Sequence, residues 1–275
     1  MADALQLPAP LFSLLAGMVE ERAGIHYADR DRDLFSAKLL ARAAEAGFDS
    51  PLDYYYFLRY DDADGREFDA LVEMLAVHET YFFREADPLA VLCDQILRPR
   101  VSHDAARVRV WCAAAATGEE PLTLAMLLDE RRLLGEVEIV ASDISNRALA
   151  RAREGRYAGR SLRAVEGRGV TRWLEPTGEA MQVRPDLHRA VTYQRINLLD
   201  GAAIASLGTF DAIICRNVLI YFADDSVRRV IATMAAALRP GGVILVGASE
   251  SLLRFGTALA CEERSGAFFY RKAES

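Results

Sequence analysis

The chain after Arg107 alternates short apolar runs with helix-like stretches, and this alternation restricts the possible folds more than any other feature. Each run has about the length of one buried strand, and most of the stretches between runs suit a single helix. Such alternation predicts a mostly parallel β-sheet that is covered by helices on both faces. The expected strands are 108–112, 137–142, 191–196, 210–215 and 242–246, followed by a final strand at 267–271 for which an antiparallel edge position is one option.

The alternation breaks between Tyr157 and Ala190, where one helix would be enough to connect two strands. This stretch contains several glycines, two prolines and a strand-like run at 180–184. Glycine and proline mark turns rather than the interior of a long helix. We therefore predict a small inserted β-subdomain at about 157–190.

The amino-terminal part has apolar residues at helical spacing instead. Leu11, Leu14 and Leu15 would share one face of a helix with Met18. Residues 1–75 also contain 7 basic and 15 acidic residues, a net charge of −8, whereas the whole chain has −7. The expected organisation is a small all-α domain at 1–76, a linker and connecting helix at 77–100, and an α/β domain at 101–275.

Charge and cysteine usage argue against several classes of protein. With 33 basic and 40 acidic residues, the chain lacks the positive charge that contacts to nucleic-acid phosphates require. The four cysteines form no CxxC pair and have no histidine at metal-ligand spacing, so we expect neither a metal site nor disulfides. We see no signal-peptide pattern and no apolar run of about 18 residues. We expect a cytoplasmic protein without membrane insertion.

The most informative local motif is RVWCAAAATGEEP at 109–121, which indicates a strand, a turn of small residues and the start of a helix. In a doubly wound sheet, a ligand lies against this turn at the ends of the strands. No lysine follows Gly118, so a phosphate-binding loop is not supported. Glu119 and Glu120 would repel phosphate but suit a cationic sulfonium ligand. An ordinary tight β–α turn is the alternative interpretation.

Polar residues follow two other predicted strands. Asp143 ends the run at 139–143, where a carboxylate can accept hydrogen bonds from both hydroxyls of a ribose. The alternative is that Asp143 caps the helix that would begin at Ile144. Arg216 and Asn217 directly follow the strand at 210–215, which places them in the crevice at the strand ends.

The motifs occur in an order that resembles the chemotaxis receptor methyltransferase family (CheR-type) along nearly the whole chain. The resemblance implies a Rossmann-like class I methyltransferase domain with a small inserted β-subdomain, preceded by a small all-α domain. It implies S-adenosylmethionine as cofactor, S-adenosylhomocysteine as product, and glutamate side chains on the cytoplasmic part of chemoreceptors as acceptors. Besides the helical start and the insertion, the matching strings are HETYFFRE at 78–85, ATGEEP at 116–121, INLL at 196–199 and FDAIICRNVLIYF at 210–222.

The resemblance also implies roles for individual residues. Thr80 and Arg84 would contact the methionine end of the cofactor, with Arg84 near its carboxylate. Asp143 would bind the ribose, and either Glu119 or Glu120 would also contact the cofactor. The full set of expected cofactor-binding residues is His78, Thr80, Arg84, Ala114, Glu119, Glu120, Asp143, Asn197, Leu198, Arg216 and Asn217, with Asn197 and Leu198 beside the adenine.

Three residues are expected to act on the acceptor. The resemblance implies that Tyr221 faces the methyl group and the incoming carboxylate, although a buried tyrosine with a backbone partner is the alternative. Arg216 would help to position that carboxylate. A further family arginine lies in the helix after the linker; Arg98 and Arg100 are both candidates, and we take Arg100.

The chain departs from the family in ways that leave other functions open. Alanines at 114–116 replace the usual Gly, Cys and Ser, and an alanine would be strained if position 114 needs a positive φ. His78 stands where many members have asparagine. A non-catalytic signalling module that binds the cofactor or its product is therefore an alternative, and a methyltransferase for another acceptor is a third.

The resemblance implies the cytoplasmic helices of a chemoreceptor as partner, and we expect a monomer. A receptor's carboxy-terminal peptide would add a strand to the β-subdomain, with 182–184 as the candidate edge. The resemblance implies that the amino-terminal domain docks on receptor helices near the methylated glutamates, and the acidic charge of residues 1–75 does not match that role. A local basic face would still be available if four side chains point outwards together: Arg30, Arg32, Lys38 and Arg42.

Overall fold

The structure, a computed structural model, describes residues 7–103 and 107–274. Its contacts divide the chain into two units. The first, here called the helical unit, runs up to Val77 and includes Tyr221–Ser226. The second, the α/β unit, consists of His78–Ile220 and Val227–Ser275. None of the helices formed by the described residues is both long and apolar enough to cross a membrane.

The helical unit is built on amphipathic helices that bury their apolar faces. In the first helix, Leu11, Leu15 and Met18 are buried, but Leu14 is exposed although the spacing had placed it with them. That helix ends at Gly24, which adopts a left-handed conformation with φ 78°. Its helices are α1 (Ala9–Ala23), α2 (Arg32–Glu45), α3 (Pro51–Tyr56) and α4 (Arg66–Leu75).

The segment Tyr221–Ser226 returns to this unit next to the end of α1. Ile25 forms an antiparallel bridge with Phe222, and the backbone N–H of His26 donates a hydrogen bond of 2.7 Å to the carbonyl of Tyr221. A Cβ atom added to Gly24 would lie 2.6 Å from the Phe222 ring. Glycine is therefore required here both for its φ and for its size.

A seven-stranded sheet organises the α/β unit, in the order β6-β2-β1-β7-β8-β10-β9. The first five strands in this order pair in parallel, as the apolar runs predicted. The strand predicted at 267–271 is not an edge, because it pairs antiparallel with a strand on each side. The bounds are β1 (Val108–Ala113), β2 (Val137–Asp143), β6 (Val191–Arg195), β7 (Phe210–Cys215), β8 (Leu238–Val246), β9 (Ala260–Arg264) and β10 (Ala267–Arg271).

Helices connect the strands and cover the sheet. Inside the sheet, the fully buried Trp111 donates from Nε1 to Ser142 Oγ at 2.9 Å, so its polar atom is satisfied. The helices of this part of the chain are α5 (Ala86–Val91), α6 (Arg98–His103), α7 (Glu119–Glu130), α8 (Asn146–Glu154), α9 (Pro185–Arg189), α10 (Gly201–Ser206) and α11 (Asp224–Ala237).

The inserted segment forms a separate three-stranded antiparallel sheet. Its strands are β3 (Arg156–Tyr157), β4 (Leu174–Thr177) and β5 (Ala180–Val183), in the order β3-β5-β4. The expectation that 182–184 forms a free edge is wrong, because β5 is the central strand and pairs on both sides. The free edges belong to β3 and β4.

The carboxylate of Asp129 is one of the groups that attach the inserted segment to α7. Asp129 accepts hydrogen bonds from Trp173 Nε1 at 2.7 Å and from Arg184 at 3.1 Å. Trp173 is almost completely buried. This attachment joins the insertion to the helix that begins at the turn after β1.

Candidate functional site

The turn after β1 is strained and tightly packed. Ala114 and Ala116 have φ values of 55° and 47°, and Gly118 has 94°. The left-handed region costs a residue with a Cβ atom about 1–2 kcal/mol relative to glycine. A Cβ atom on Gly118 would lie 2.9 Å from Ala152 Cβ and 3.0 Å from Tyr157 Oη. The surrounding structure therefore fixes the path of this turn, including the positive φ anticipated at Ala114.

Asp143 is buried at the end of β2 and is oriented by two backbone groups. Its Oδ2 accepts a hydrogen bond from the N–H of Ala116 at 2.8 Å, and its Oδ1 accepts one from Ser145 at 2.9 Å. The cap of α8 is Ser145, whose Oγ accepts from the N–H of Ala148 at 2.9 Å. Helix capping therefore does not explain Asp143, and its carboxylate is linked to the turn after β1 instead.

His78 approaches the same carboxylate from the linker. Its Nε2 lies 3.8 Å from Asp143 Oδ1, too far for a hydrogen bond. This nitrogen is buried and has no hydrogen-bond partner among the described groups. A buried polar atom without a partner is costly, so a site that leaves one open beside a carboxylate suits a polar ligand.

Arg216 is the centre of a buried ionic cluster that ties the linker to the strand ends. Its Nη1 donates to Glu120 at 2.9 Å, and its Nη2 donates to the Glu85 carboxylate at 3.0 Å and to the carbonyl of Arg84 at 3.1 Å. The side chain of Arg216 is only 1% exposed. Both terminal nitrogens are therefore occupied by the protein's own acceptors, which differs from the expected contact with an acceptor carboxylate. The Nε atom is buried and has no hydrogen-bond partner among the described groups.

The pKa values of the two carboxylates in this cluster are shifted in opposite directions. Burial raises the pKa of Glu120, although the charge of Arg216 opposes that shift. Burial also acts to raise the pKa of Glu85, but the hydrogen bond and charge of Arg216 outweigh it and leave that pKa below its ordinary value. The pKa of Glu85 therefore lies below that of Glu120.

The structure distinguishes Glu119 from Glu120. Glu119 is 1% exposed, and its two carboxylate oxygens accept hydrogen bonds from Thr117 Oγ1 at 2.6 Å and from Ser161 Oγ at 2.7 Å. It therefore links the turn after β1 to the inserted segment. Glu119 lines a cavity together with His78 and Thr80, whereas Glu120 faces Arg216.

That cavity has a volume of about 310 Å³ and combines a polar floor with an arginine-rich rim. The floor contains three of the residues expected at the cofactor, and the rim comes from α8 and the inserted segment. The residues that line it are His78, Glu79, Thr80, Thr117, Glu119, Arg147, Ala148, Arg151, Arg160, Ser161 and Arg163.

Two further expected pairs follow strand ends of the same sheet. Asn197 and Leu198 come shortly after β6; Asn197 Oδ1 accepts from the N–H of Leu199 at 3.0 Å, and Leu198 is buried. Asn217 follows β7 directly after Arg216 and has a positive φ of 58°. Because β2, β6 and β7 run parallel, their carboxyl ends lie on the same side of the sheet. These residues therefore lie at that side together with Asp143.

Arg84 and Arg100 differ in where the structure places them. Arg84 is partly exposed in the linker and donates from Nη1 to the carbonyl of Glu79 at 2.8 Å. Arg100 does not reach the site, because its Nη1 pairs at 2.8 Å with Asp211 near the beginning of β7, the opposite end of the strand from Arg216. The assignment of Arg100 as a catalytic residue is therefore corrected. The other candidate, Arg98, pairs with Asp94 at 3.5 Å on the surface.

Tyr221 belongs to the helical unit and is 36% exposed. Its carbonyl accepts from the N–H of His26, and it ends a short 3₁₀ helix, Leu219–Tyr221. It is therefore not the fully buried core tyrosine that was the alternative.

Glu250 binds the backbone at these strand ends, and sequence reasoning missed it. Its carboxylate accepts hydrogen bonds from the backbone N–H groups of Asn217, Val218, Leu219 and Gly247, at 2.7–3.0 Å. The sequence signal that could have found it is a glutamate shortly after the parallel strand β8, close to the other strand ends.

The strand order, the small-residue turn after β1 and the buried carboxylate at the end of β2 define a Rossmann-like class I methyltransferase. Comparison with known families agrees. Residues 78–265 match the model of the CheR methyltransferase SAM-binding domain, and residues 10–76 match the model of the CheR methyltransferase all-alpha domain. The chain belongs to the CheR methyltransferase family, and its cofactor is S-adenosylmethionine.

Curated relatives match over most of their length. Chemotaxis protein methyltransferase 2 of Vibrio cholerae is 32% identical over 242 residues, which cover 86% of this chain and 84% of the relative. Chemotaxis protein methyltransferase 1 of the same organism is 35% identical, covering 85% and 86%. Chemotaxis protein methyltransferase of Escherichia coli is 32% identical, covering 91% and 87%.

The residues at the strand ends fit the cofactor. Asp143 offers a fixed carboxylate for a diol, and the unpartnered Nε2 of His78 lies beside it. Glu119 contributes negative charge near the cavity floor, which suits a positively charged sulfonium centre.

Proposed function

We propose that this chain methylates glutamate side chains on the cytoplasmic part of a chemoreceptor, using S-adenosylmethionine. The observation that carries the proposal is the buried Asp143, oriented by Ala116 and Ser145 beside a cavity whose floor contains Glu119. The names of the relatives supply the acceptor class, because they are chemotaxis protein methyltransferases.

When bound, S-adenosylmethionine supplies an electrophilic methyl group on a sulfonium centre. In this proposal Asp143 accepts hydrogen bonds from the ribose, and Thr80 and Arg84 bind the methionine end. Leu198 offers an apolar contact for the adenine. These residues fix the cofactor's orientation, which is the main contribution expected from a protein that brings two reactants into line.

The acceptor carboxylate needs orientation more than activation. Glutamate has an ordinary pKa of about 4.3, so it is already ionised near pH 7 and no general base is required. We assign Tyr221 to contact with the acceptor, as its position in the motif NVLIYF implies. Arg216 acts as a positioning residue, since its guanidinium binds Glu85 and Glu120 and thereby attaches the linker.

Partner binding forms a second part of the proposal. The chain would act as a cytoplasmic monomer on the helices of the receptor. If a receptor peptide adds a strand to the inserted sheet, it would do so at the free edge of β3 or β4, since β5 is paired on both sides.

A transfer assay tests the proposed function. The purified chain is incubated with methyl-labelled S-adenosylmethionine and a cytoplasmic receptor fragment, and the label in the fragment is then treated with mild base. We expect incorporation that base releases as methanol, because a glutamate methyl ester hydrolyses readily. A receptor fragment with glutamine at its acceptor positions is the matched control. Base-stable label, or label at equal levels in the control fragment, would refute the proposal.

A further inference from the structure

Positive charge is concentrated on one stretch of this acidic protein. Residues 144–172 contain eight arginines and two glutamates, a net charge of +6 within a chain of net charge −7. Arg147 and Arg151 lie four residues apart on α8, and Arg160 and Arg163 follow β3. These four side chains, here called the arginine rim, line the cavity described above.

Two members of the arginine rim are available for a partner. Arg163 is committed, since it pairs with Glu79 at 3.0 Å and stacks over the ring of Tyr81. Within the described residues, neither Arg151 nor Arg160 forms an ion pair, and both are exposed. Exposed arginines at a concave site favour carboxylate-bearing ligands, because guanidinium groups bind carboxylates through two parallel hydrogen bonds.

Two of the four side chains considered for a basic face of the helical unit are used inside that unit. Lys38 donates to the carbonyl of Leu75 at 3.2 Å, and burial lowers the pKa of Lys38. Arg42 makes two hydrogen bonds of 2.7 Å to the carboxylate of Glu67. Lys38 and Arg42 are therefore held by acceptors of the helical unit, whereas Arg151 and Arg160 form no ion pair within the described residues.

We propose that the arginine rim binds an acidic, glutamate-bearing segment of the methyl-accepting protein and guides it to the cavity. This inference rests on the proposed function and names the surface that recognises the acceptor. The cavity floor carries cofactor residues and the rim carries the positive charge, so carboxylates that flank the acceptor would meet Arg151 and Arg160 outside the reacting centre.

The test is the double variant Arg151→Gln/Arg160→Gln, with Arg107→Gln/Arg189→Gln as an exposed control outside the cavity. We expect the KM for a receptor cytoplasmic fragment to rise about threefold to tenfold, with kcat and the Kd for S-adenosylhomocysteine unchanged. Added salt should raise the KM of the wild-type chain and change that of the variant less.

Each other outcome overturns the inference. An unchanged KM would show that the arginines do not contact the acceptor. A Kd for S-adenosylhomocysteine that weakens by the same factor would place them in the cofactor site instead. Failure of the proposed function is distinguishable, because the wild-type chain would then transfer no methyl group to the fragment at all.

The carboxylate of Glu250 accepts hydrogen bonds from four backbone N–H groups. The Oε1 atom accepts from the N–H groups of Val218 and Leu219 at 3.0 and 2.8 Å, and Oε2 accepts from Asn217 and Gly247 at 2.7 and 2.8 Å. One carboxylate thus satisfies four backbone donors in the loops after β7 and β8. Hydrogen bonds to an ionised acceptor are stronger than those between neutral groups.

We infer that Glu250 is a positioning residue for the backbone at 217–219, which directly follows Arg216. Asn217 has a positive φ of 58°, which asparagine adopts more readily than most residues, and its backbone N–H donates to Glu250 in this conformation. The contact is also close-packed, since a Cβ atom on Gly247 would lie 2.8 Å from Glu250 Oε2 and 3.0 Å from the Asn217 nitrogen. Glu250 touches neither of the reacting groups in this account and acts through the backbone.

The variant Glu250→Gln tests this role, because its amide N–H₂ would face backbone donors. We expect kcat to fall about 10- to 100-fold while the Kd for S-adenosylhomocysteine changes less than about threefold. Glu250→Asp, which keeps the charge, should recover part of kcat, and exposed Glu166→Gln should behave as the wild-type chain. Amide hydrogen exchange at 217–219 should accelerate in Glu250→Gln, a readout that needs no activity.

Two results would overturn this second inference. A Glu250→Gln variant with the kcat and amide exchange of the wild-type chain would show that the four hydrogen bonds do not matter. A parallel fall in kcat, cofactor affinity and melting temperature would indicate a purely structural role.

Discussion

The Oδ2 oxygen of Asp143 accepts a hydrogen bond of 2.8 Å from the backbone N–H of Ala116, so the end of β2 fixes the turn after β1. Replacing Asp143 with asparagine removes the charge and turns an N–H₂ group towards one of two backbone donors. We expect affinity for S-adenosylhomocysteine to fall about 10- to 100-fold, since hydrogen bonds to charged groups contribute about 1.5–3 kcal/mol. Calorimetric titration measures this, with exposed Asp87→Asn as control; equal affinities for wild type and Asp143→Asn would contradict the assignment.

The strained turn gives a prediction of opposite sign. Because Ala114 has φ 55°, Ala114→Gly removes steric strain from the folded chain. The free energy gained in this way exceeds the entropic cost of the more flexible unfolded chain. We expect the free energy of unfolding to rise by about 0.5–1 kcal/mol. Ala115 lacks a positive φ, so Ala115→Gly should lower stability instead. Urea denaturation of the two variants checks the contrast, and a loss of stability in both would show that Ala114 is not strained.

The buried cluster around Arg216 predicts strong coupling between two side chains. Arg216→Met leaves Glu120 and Glu85 without their cation and should destabilise the fold by about 3–5 kcal/mol. Adding Glu120→Gln should cost less than it does in the wild-type chain, with a coupling of about 1–3 kcal/mol. A double-mutant cycle in urea measures that coupling, and strictly additive effects would mean that the pair contributes nothing.

The principal sheet could be predicted from sequence because its central strands are buried on both faces. Apolar residues follow one another without alternation in such strands, as Ile213 and Ile214 do in β7. A continuous apolar run of this kind is typical of a parallel sheet covered on both faces. The edge strand β9 escaped notice because its sequence, ACEER, is charged and mostly exposed. It pairs with β10 across the two-residue turn Ser265-Gly266, a hairpin signal that a search for apolar runs does not detect.

The positions of the candidate site residues could be predicted where one motif sets the local geometry, and less so where distant segments meet. Asp143 and the strain at Ala114 follow from a strand end and a short turn. The places of Arg100 and Glu250 depend on partners far along the chain, Asp211 and the loop after β7, which no local spacing reveals. The central position of β5 likewise depends on two strands that flank it in space.

Acid should weaken the attachment of the linker through Glu85. A carboxylate whose pKa is lowered in the folded chain stabilises the fold above the ordinary value of about 4.3, and this contribution disappears as pH falls through the lowered pKa. We therefore expect the wild-type chain to lose more stability than Glu85→Gln between about pH 5 and pH 3. Urea denaturation across that range provides the measurement, with Glu166→Gln as control. Parallel pH profiles for wild type and Glu85→Gln would exclude this role.

The proposed chemistry is tested most directly by locating the transferred methyl group. A receptor cytoplasmic fragment is incubated with the chain and S-adenosylmethionine, digested, and mapped by mass spectrometry, with Asp143→Asn as the impaired enzyme. We expect methyl esters on glutamate side chains of the fragment, formed by the wild-type chain and strongly reduced with the variant. Methyl groups found only on other residue types, or no methylation by a wild-type chain that binds S-adenosylhomocysteine, would contradict it.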